Sequence, residues 1–270
     1  YKFQDHYYSM PFITEMGGIA YNITTLDKLF GAGNWTLPTT TEELNEMSKE
    51  IIQAGAYPFV WSNKENCYWG MTAEVWTAQY DGVKAYTGAN RASYWDDEKN
   101  DYVLAETKEV AIDKILSNKG RYYVYDVGYE YTRNDGYSHQ YSKSMNFAES
   151  QLAFAGGGYA NDKKLCVFSN NGDWLYEESQ DDFVLRRQNI GFMKVPVISP
   201  LVEKLSFYTD GDWDNLSADQ KTKYDKVLRA IIAYVDGTAT DKPTSVEGYA
   251  VTDADIDRVA EARGVVYIKD

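Results

Sequence analysis

Three times in this chain a helix signal ends on glycine and an apolar run of strand length follows shortly after. Thr39 with Glu42, or Thr40 with Glu43, forms a capping box ahead of Leu44, Met47 and Ile51, which share one helical face. Gly55 stops that helix, and Tyr57 to Trp61 reads as a short buried strand. Ser144 to Phe154 reads as a helix ended by Gly156, Gly157 and Gly158, with a strand running on to Phe168. Asp253 to Arg263, capped by Thr252 or Asp253, ends at Gly264 before Val265 to Ile268. Short apolar strands alternating with capped helices predict an α/β fold, a sheet flanked by helices.

The remaining segments fit around this frame. Residues 10 to 22 (MPFITEMGGIAYN) read as a strand broken or bent at Gly17 and Gly18, then a second strand segment. Met71 to Tyr80, Thr107 to Leu116 and Asp219 to Val235 read as helices, and Gly191 to Ile198 as extended chain. Residues 83 to 104 read as an irregular excursion or a hairpin, and Arg121 to Tyr131 as a strand or an extended loop. After the strand to Phe168, Asn170, Asn171 and Gly172 are turn formers, and Leu175 to Glu178 opens a helix. Asp173 and Trp174 therefore sit at a strand-to-helix corner, the place where α/β folds bind ligands. The plain alternative is a tryptophan that plugs the corner as core.

Composition limits the function. A net charge of −14 argues against binding nucleic-acid backbone or an anionic membrane surface. With 24 Tyr and 7 Trp, the chain is rich in side chains that stack on ring-shaped ligands while offering a polar tip. The two cysteines, Cys67 and Cys166, are too few for a disulfide framework, and two buried free thiols are expected, with a single bridge between them as the alternative. His6 and His139 stand far apart, and Asp210, Asp212 and Asp214 lack the glycine and glutamate of a calcium loop. No metal, cofactor, phosphate-binding loop or nucleophile elbow is expected. Paired carboxylates for glycoside hydrolysis stay open, because 41 acidic residues offer many pairs.

Three segments, in order, resemble bacterial extracellular solute-binding proteins of the maltose-binding type, the substrate-binding components of ABC importers. The first is MPFITEMGGIAYN, with Pro11 and the Tyr21-Asn22 pair placed as in the strand that crosses between lobes. The second runs from LDKLFGAGNWTLP through the capped helix to YPFVW. The third is KKLCVFSNNGDWLYEE, followed by Gly191-Phe192 and Pro196. The end, DADIDRVAEARGVVYIKD, looks like the helix and strand that precede the return to the first lobe.

The resemblance implies a periplasmic-binding-protein-like (type II) lobe with a mixed sheet. Residues 1 to 270 are then one lobe, mainly the second of two, with the crossing strand inside residues 1 to 22. It also implies a monomeric, non-enzymatic protein outside the cytoplasm, periplasmic or anchored as a lipoprotein. Its partners are an oligosaccharide clamped between lobes and the permease subunits of the importer. Carried over residue by residue, Trp174 matches the corner tryptophan that stacks on a sugar, with Asp173 beside it. Glu15 matches a carboxylate on the crossing strand. Tyr68 and Trp69 lie in the loop that supplies aromatics, at least one of them core, and Trp61 and Glu65 are further candidates. A glycan-acting hydrolase or carbohydrate-binding module is the alternative. A third reading is an interaction module using the tyrosines of 83 to 142.

Overall fold

The computed structural model describes residues 2–3, 6–7, 14–64, 68–116, 118–133 and 136–269. Two short strands, β1 (Lys2–Phe3) and β2 (His6–Tyr7), pair as a ribbon, and β3 (Glu15–Asn22) opens the main sheet. Helices α1 (Ile23–Phe30) and α2 (Thr41–Gln53) lead to β4 (Tyr57–Phe59). Then come α3 (Trp69–Asp81), α4 (Val83–Asn90), the hairpin of β5 (Ser93–Asp96) and β6 (Asp101–Leu104), α5 (Lys108–Leu116), α6 (Lys119–Thr132) and α7 (Phe147–Phe154). The second half holds β7 (Cys166–Gly172), α8 (Leu175–Leu185), β8 (Ile190–Met193) and α9 (Ala218–Val235). The hairpin of β9 (Ser245–Val246) and β10 (Tyr249–Ala250), α10 (Asp253–Gly264) and β11 (Tyr267–Lys269) close the order.

The main sheet is mixed, as expected. Its order is β11-β3-β7-β4, with β8 sharing the β11 side of β3. β3 runs antiparallel to β7, β8 and β11, while β4 is parallel to β7. Ile19 and Ala20, adjacent on β3 and both fully buried, fall in separate apolar clusters because successive side chains leave a strand on opposite faces. The larger cluster takes Leu44 and Ile51 of α2, Trp76 of α3, and Leu228 and Ile231 of α9. The smaller takes Phe154 of α7, Leu175 and Phe183 of α8, and Cys166, whose free thiol burial pushes up in pKa.

Local chemistry sets the helix starts. Thr40 caps α2 by accepting the Glu43 N–H, while the Glu43 carboxylate reaches back to Thr39 rather than Thr40. Full capping boxes open α7 at Asn146, α9 at Ser217 and α10 at Thr252.

Four segments differ from the sequence reading. Residues 83 to 90 form the helix α4 ahead of the hairpin, where an irregular excursion or a hairpin alone was expected. β3 passes straight through Gly17 and Gly18, which pair with Gly172 and Asn171. A Cβ on Gly17 would lie 2.4 Å from the Met71 sulfur, so the Met71 side chain packs directly against the bare backbone there. Asn170, Asn171 and Gly172 are buried strand residues and not a turn, since the Asn170 amide oxygen is satisfied by the Thr72 hydroxyl at 2.8 Å. Residues 121 to 131 are helical. Tyr122, Tyr125 and Tyr129 face outward while Tyr123 and Tyr131 are buried, a 3.6-residue period that overrides the β preference of tyrosine. Pro11 and Cys67 lie outside the described residues.

Candidate functional site

Because β4 and β7 are parallel and β3 runs against them, the carboxyl ends of β4 and β7 share one end of the sheet with the start of β3. That end carries Trp61 after β4, Asp173 and Trp174 after β7, and Glu15 at the start of β3. Tyr68, at the mouth of α3, joins them through its ring contact with Trp174. Glu65 lies outside the described residues.

Trp174 is half-buried and its position is fixed from below by a glycine. A Cβ on Gly172 would sit 2.0 Å from the Trp174 Cζ3, so the indole lies directly over bare backbone. The Asp173 N–H donates to the Met16 carbonyl at 3.0 Å and ties the corner to β3. The Tyr68 ring meets Trp174 edge-on, with centroids 5.9 Å apart and planes at 69°. The side chain of Asp173 is exposed, and it does not cap α8, whose N-cap position is Trp174 itself without a side-chain bond. Glu15 is half-buried and stands opposite Lys269 in the register of β3 with β11.

Trp61 and Trp69 are core residues with one side turned to a groove. Trp61 is buried, its indole N–H donating to the Ser138 hydroxyl at 2.8 Å. Trp69 stacks on Tyr131 at 6.0 Å with planes 4° apart, and leans on Phe59 and Trp76. Both line a cavity of about 490 Å³ together with Asn63, Tyr129, Arg133 and Lys143. Trp69, Tyr129 and Thr132 also line an adjoining cavity of about 500 Å³ between α3 and α6, walled by Trp76, Val124 and Tyr125. The two form one groove, each part within the volume range of small-molecule sites. The buried Trp69 indole N–H and the Asn170 side-chain amide nitrogen have no acceptor among the described residues.

The loop after α6 holds Trp61 in place. His139 is buried, its Nδ1 accepting the Tyr141 N–H at 3.2 Å, and burial depresses its pKa. The ring is thereby held neutral, and its own backbone N–H donates to the Phe59 carbonyl at 2.8 Å. Among the described residues, no aspartate or glutamate lines either part of the groove, and no cluster of three metal-ligating side chains occurs. Chemically the arrangement offers flat apolar faces, a few polar tips and two cations.

Tyr129, Arg133, Tyr125 and Lys143 were not among the expected site residues. The first three belong to α6 or its end, and residues 121 to 131 of that helix read in sequence as a strand or an extended loop. The signal that finds them is the spacing of Tyr122, Tyr125 and Tyr129 against Tyr123 and Tyr131.

No protein-family profile matches the sequence, and no curated protein matches it. Several solved structures align with part of the chain. A chitin oligosaccharide binding protein aligns with TM-score 0.45 at 17% identity, over 73% of this chain and 42% of its own. RafE from Streptococcus pneumoniae aligns with TM-score 0.46 at 16% identity, over 93% of this chain and 58% of its own. The GacH receptor of Streptomyces glaucescens, solved unliganded and with acarbose, aligns with TM-score 0.42 at 19% identity, over 73% and 42%. The chain thus spans between 42% and 58% of the length of these proteins.

Proposed function

We propose that this chain binds a carbohydrate, as the substrate-binding component of an ABC importer, without catalysing a reaction. In this reading residues 1 to 270 form mainly one lobe of a two-lobed protein working outside the cytoplasm. The sugar lies at the sheet end described above and is closed upon by hinge motion.

The observation that carries the reading is the Tyr68–Trp174 pair at the carboxyl end of β7. Two half-buried rings held edge to face give a pyranose an apolar plane and a wall, and Asp173 and Glu15 are the nearby groups able to accept hydroxyl hydrogen bonds. The hydrolase alternative needs two carboxylates facing one cleft at a set separation, and Asp173 with Glu15 are the pair to test, by assaying the chain for oligosaccharide hydrolysis. The exposed Tyr122, Tyr125 and Tyr129 favour a second reading, in which α6 meets another macromolecule.

Intrinsic tryptophan fluorescence against neutral and acidic oligosaccharides tests this. A saturable change lost in Trp174→Ala, with circular dichroism unchanged, supports sugar binding at the platform. No response to any sugar from the folded chain counts against it. A response to neutral sugars that survives Trp174→Ala and vanishes in Tyr125→Ala moves the site to α6.

A further inference from the structure

We infer that the groove beside the platform selects acidic oligosaccharides, with aromatic walls for the sugar faces and Lys143 and Arg133 for a carboxylate or sulfate. This rests on the carbohydrate reading and names the class of sugar.

Two helix glycines point to a space kept open. Gly70 in α3 and Gly128 in α6 both line the part of the groove between those helices. Neither has a positive φ, and a Cβ on either would meet nothing within 4 Å. Glycine inside a helix costs roughly 0.5–1 kcal/mol relative to alanine. No turn, close approach or packing contact in the described structure requires glycine at these two positions. What their missing side chains leave is floor, flanked by Tyr125 and Tyr129, which are 77% and 63% exposed. Trp69, more than nine-tenths buried, lines both parts of the groove and carries an indole N–H with no acceptor among the described residues.

Charge then selects the ligand. The chain carries 41 acidic residues against 27 basic ones. The described lining of the groove nevertheless contains Arg133 and Lys143 and no carboxylate. Arg133 is partly committed, bridged to Glu130 at 3.1 Å and lying over the Tyr137 ring at 5.0 Å. Lys143 is exposed and has no acidic partner among the described residues. A cationic end on an aromatic groove, within a strongly acidic surface, complements a sugar that carries its own negative charge.

Calorimetric titration of the full chain with maltotriose, xylotriose, trigalacturonate and a sulfated galactan trisaccharide tests the inference. An acidic trisaccharide is expected to bind more tightly than both neutral ones, and added salt to erode the difference. Lys143→Gln is expected to weaken the acidic ligand roughly fivefold and leave neutral sugars unchanged. Gly128→Leu, whose Cβ has no atom within 4 Å, is expected to weaken the acidic ligand by filling the groove. Preference for trigalacturonate assigns a carboxylate, and preference for the galactan a sulfate. Equal affinity for neutral and acidic sugars, or no effect of Lys143→Gln, overturns the inference while the carbohydrate reading stands. No binding of any sugar removes both.

Discussion

The six-membered ring of Trp174 rests on the backbone of Gly172, so close that a single methyl group on the glycine would occupy the same space. The glycine is thus a steric condition for the platform. Gly172→Ala is expected to displace the indole, costing about 1–3 kcal/mol of stability by overpacking and weakening any ligand that stacks there. Removing the ring as well should relieve the clash. The double variant Gly172→Ala/Trp174→Ala should therefore be less destabilised than the sum of the singles, as read by denaturant unfolding. Additive effects would show that the ring and the glycine do not compete for that space.

The alternation of helix and strand was legible because it is local. Caps at Thr40 and Thr252, the Leu44-Met47-Ile51 stripe and the short strand at Tyr57 all follow from residues within a few positions of one another. Other features depend on partners distant in sequence. Asn170 and Asn171 look like turn residues until Thr72, far away in sequence, supplies a hydroxyl for one of them. Arg121 to Tyr131 looks like a strand because tyrosine favours strands, and only packing of Tyr123 and Tyr131 into the core makes it a helix. The corner at Trp174 was visible from sequence, whereas the groove on Trp69 depends on α6 and was not.

Glycine at 128 carries a stability prediction separate from ligand binding. Gly128→Ala places a methyl group in open space within α6 and improves helix propensity. Stability is expected to rise by roughly 0.5–1 kcal/mol, measured by thermal or urea unfolding without ligand. A loss of stability would mean that the glycine serves the fold and not the groove.

Glu203 pins four segments together. It accepts from the hydroxyls of Tyr80 and Tyr123, both at 2.5 Å, from the Lys119 ammonium at 2.9 Å and from the Trp213 N–H at 2.6 Å. Burial raises its pKa, but these four donors together outweigh it and leave the carboxyl below its ordinary value. A depressed carboxylate pKa contributes stability above the unfolded-state value of about 4.3 and loses it as pH falls through the folded value. Glu203→Gln is expected to be less stable than wild type at neutral pH, with the gap closing in acid. A gap independent of pH, followed by chemical denaturation between about pH 3 and 7, would count against this role.

Asp225 acts in the opposite direction. It is buried under α2, accepting from the Ser199 hydroxyl at 3.0 Å, with the Arg229 guanidinium 3.2 Å away. Burial nevertheless pushes its pKa up to about 7, the bonds from Thr40 and Ser199 and the charge of Arg229 offsetting only part of the desolvation. Arg229 is shared with Glu43 at 2.9 Å, which weakens its hold on Asp225. The folded state therefore keeps a proton that the unfolded chain releases near pH 4. Stability from this group is fully present below the unfolded value and is lost as pH rises towards 7, by about 1.4 kcal/mol for each unit of separation at most. The advantage of wild type over Asp225→Asn should shrink between about pH 4 and 7, followed by urea unfolding at each pH. A difference that grows with pH would instead mean that the ion pair with Arg229 dominates and that Asp225 is charged throughout.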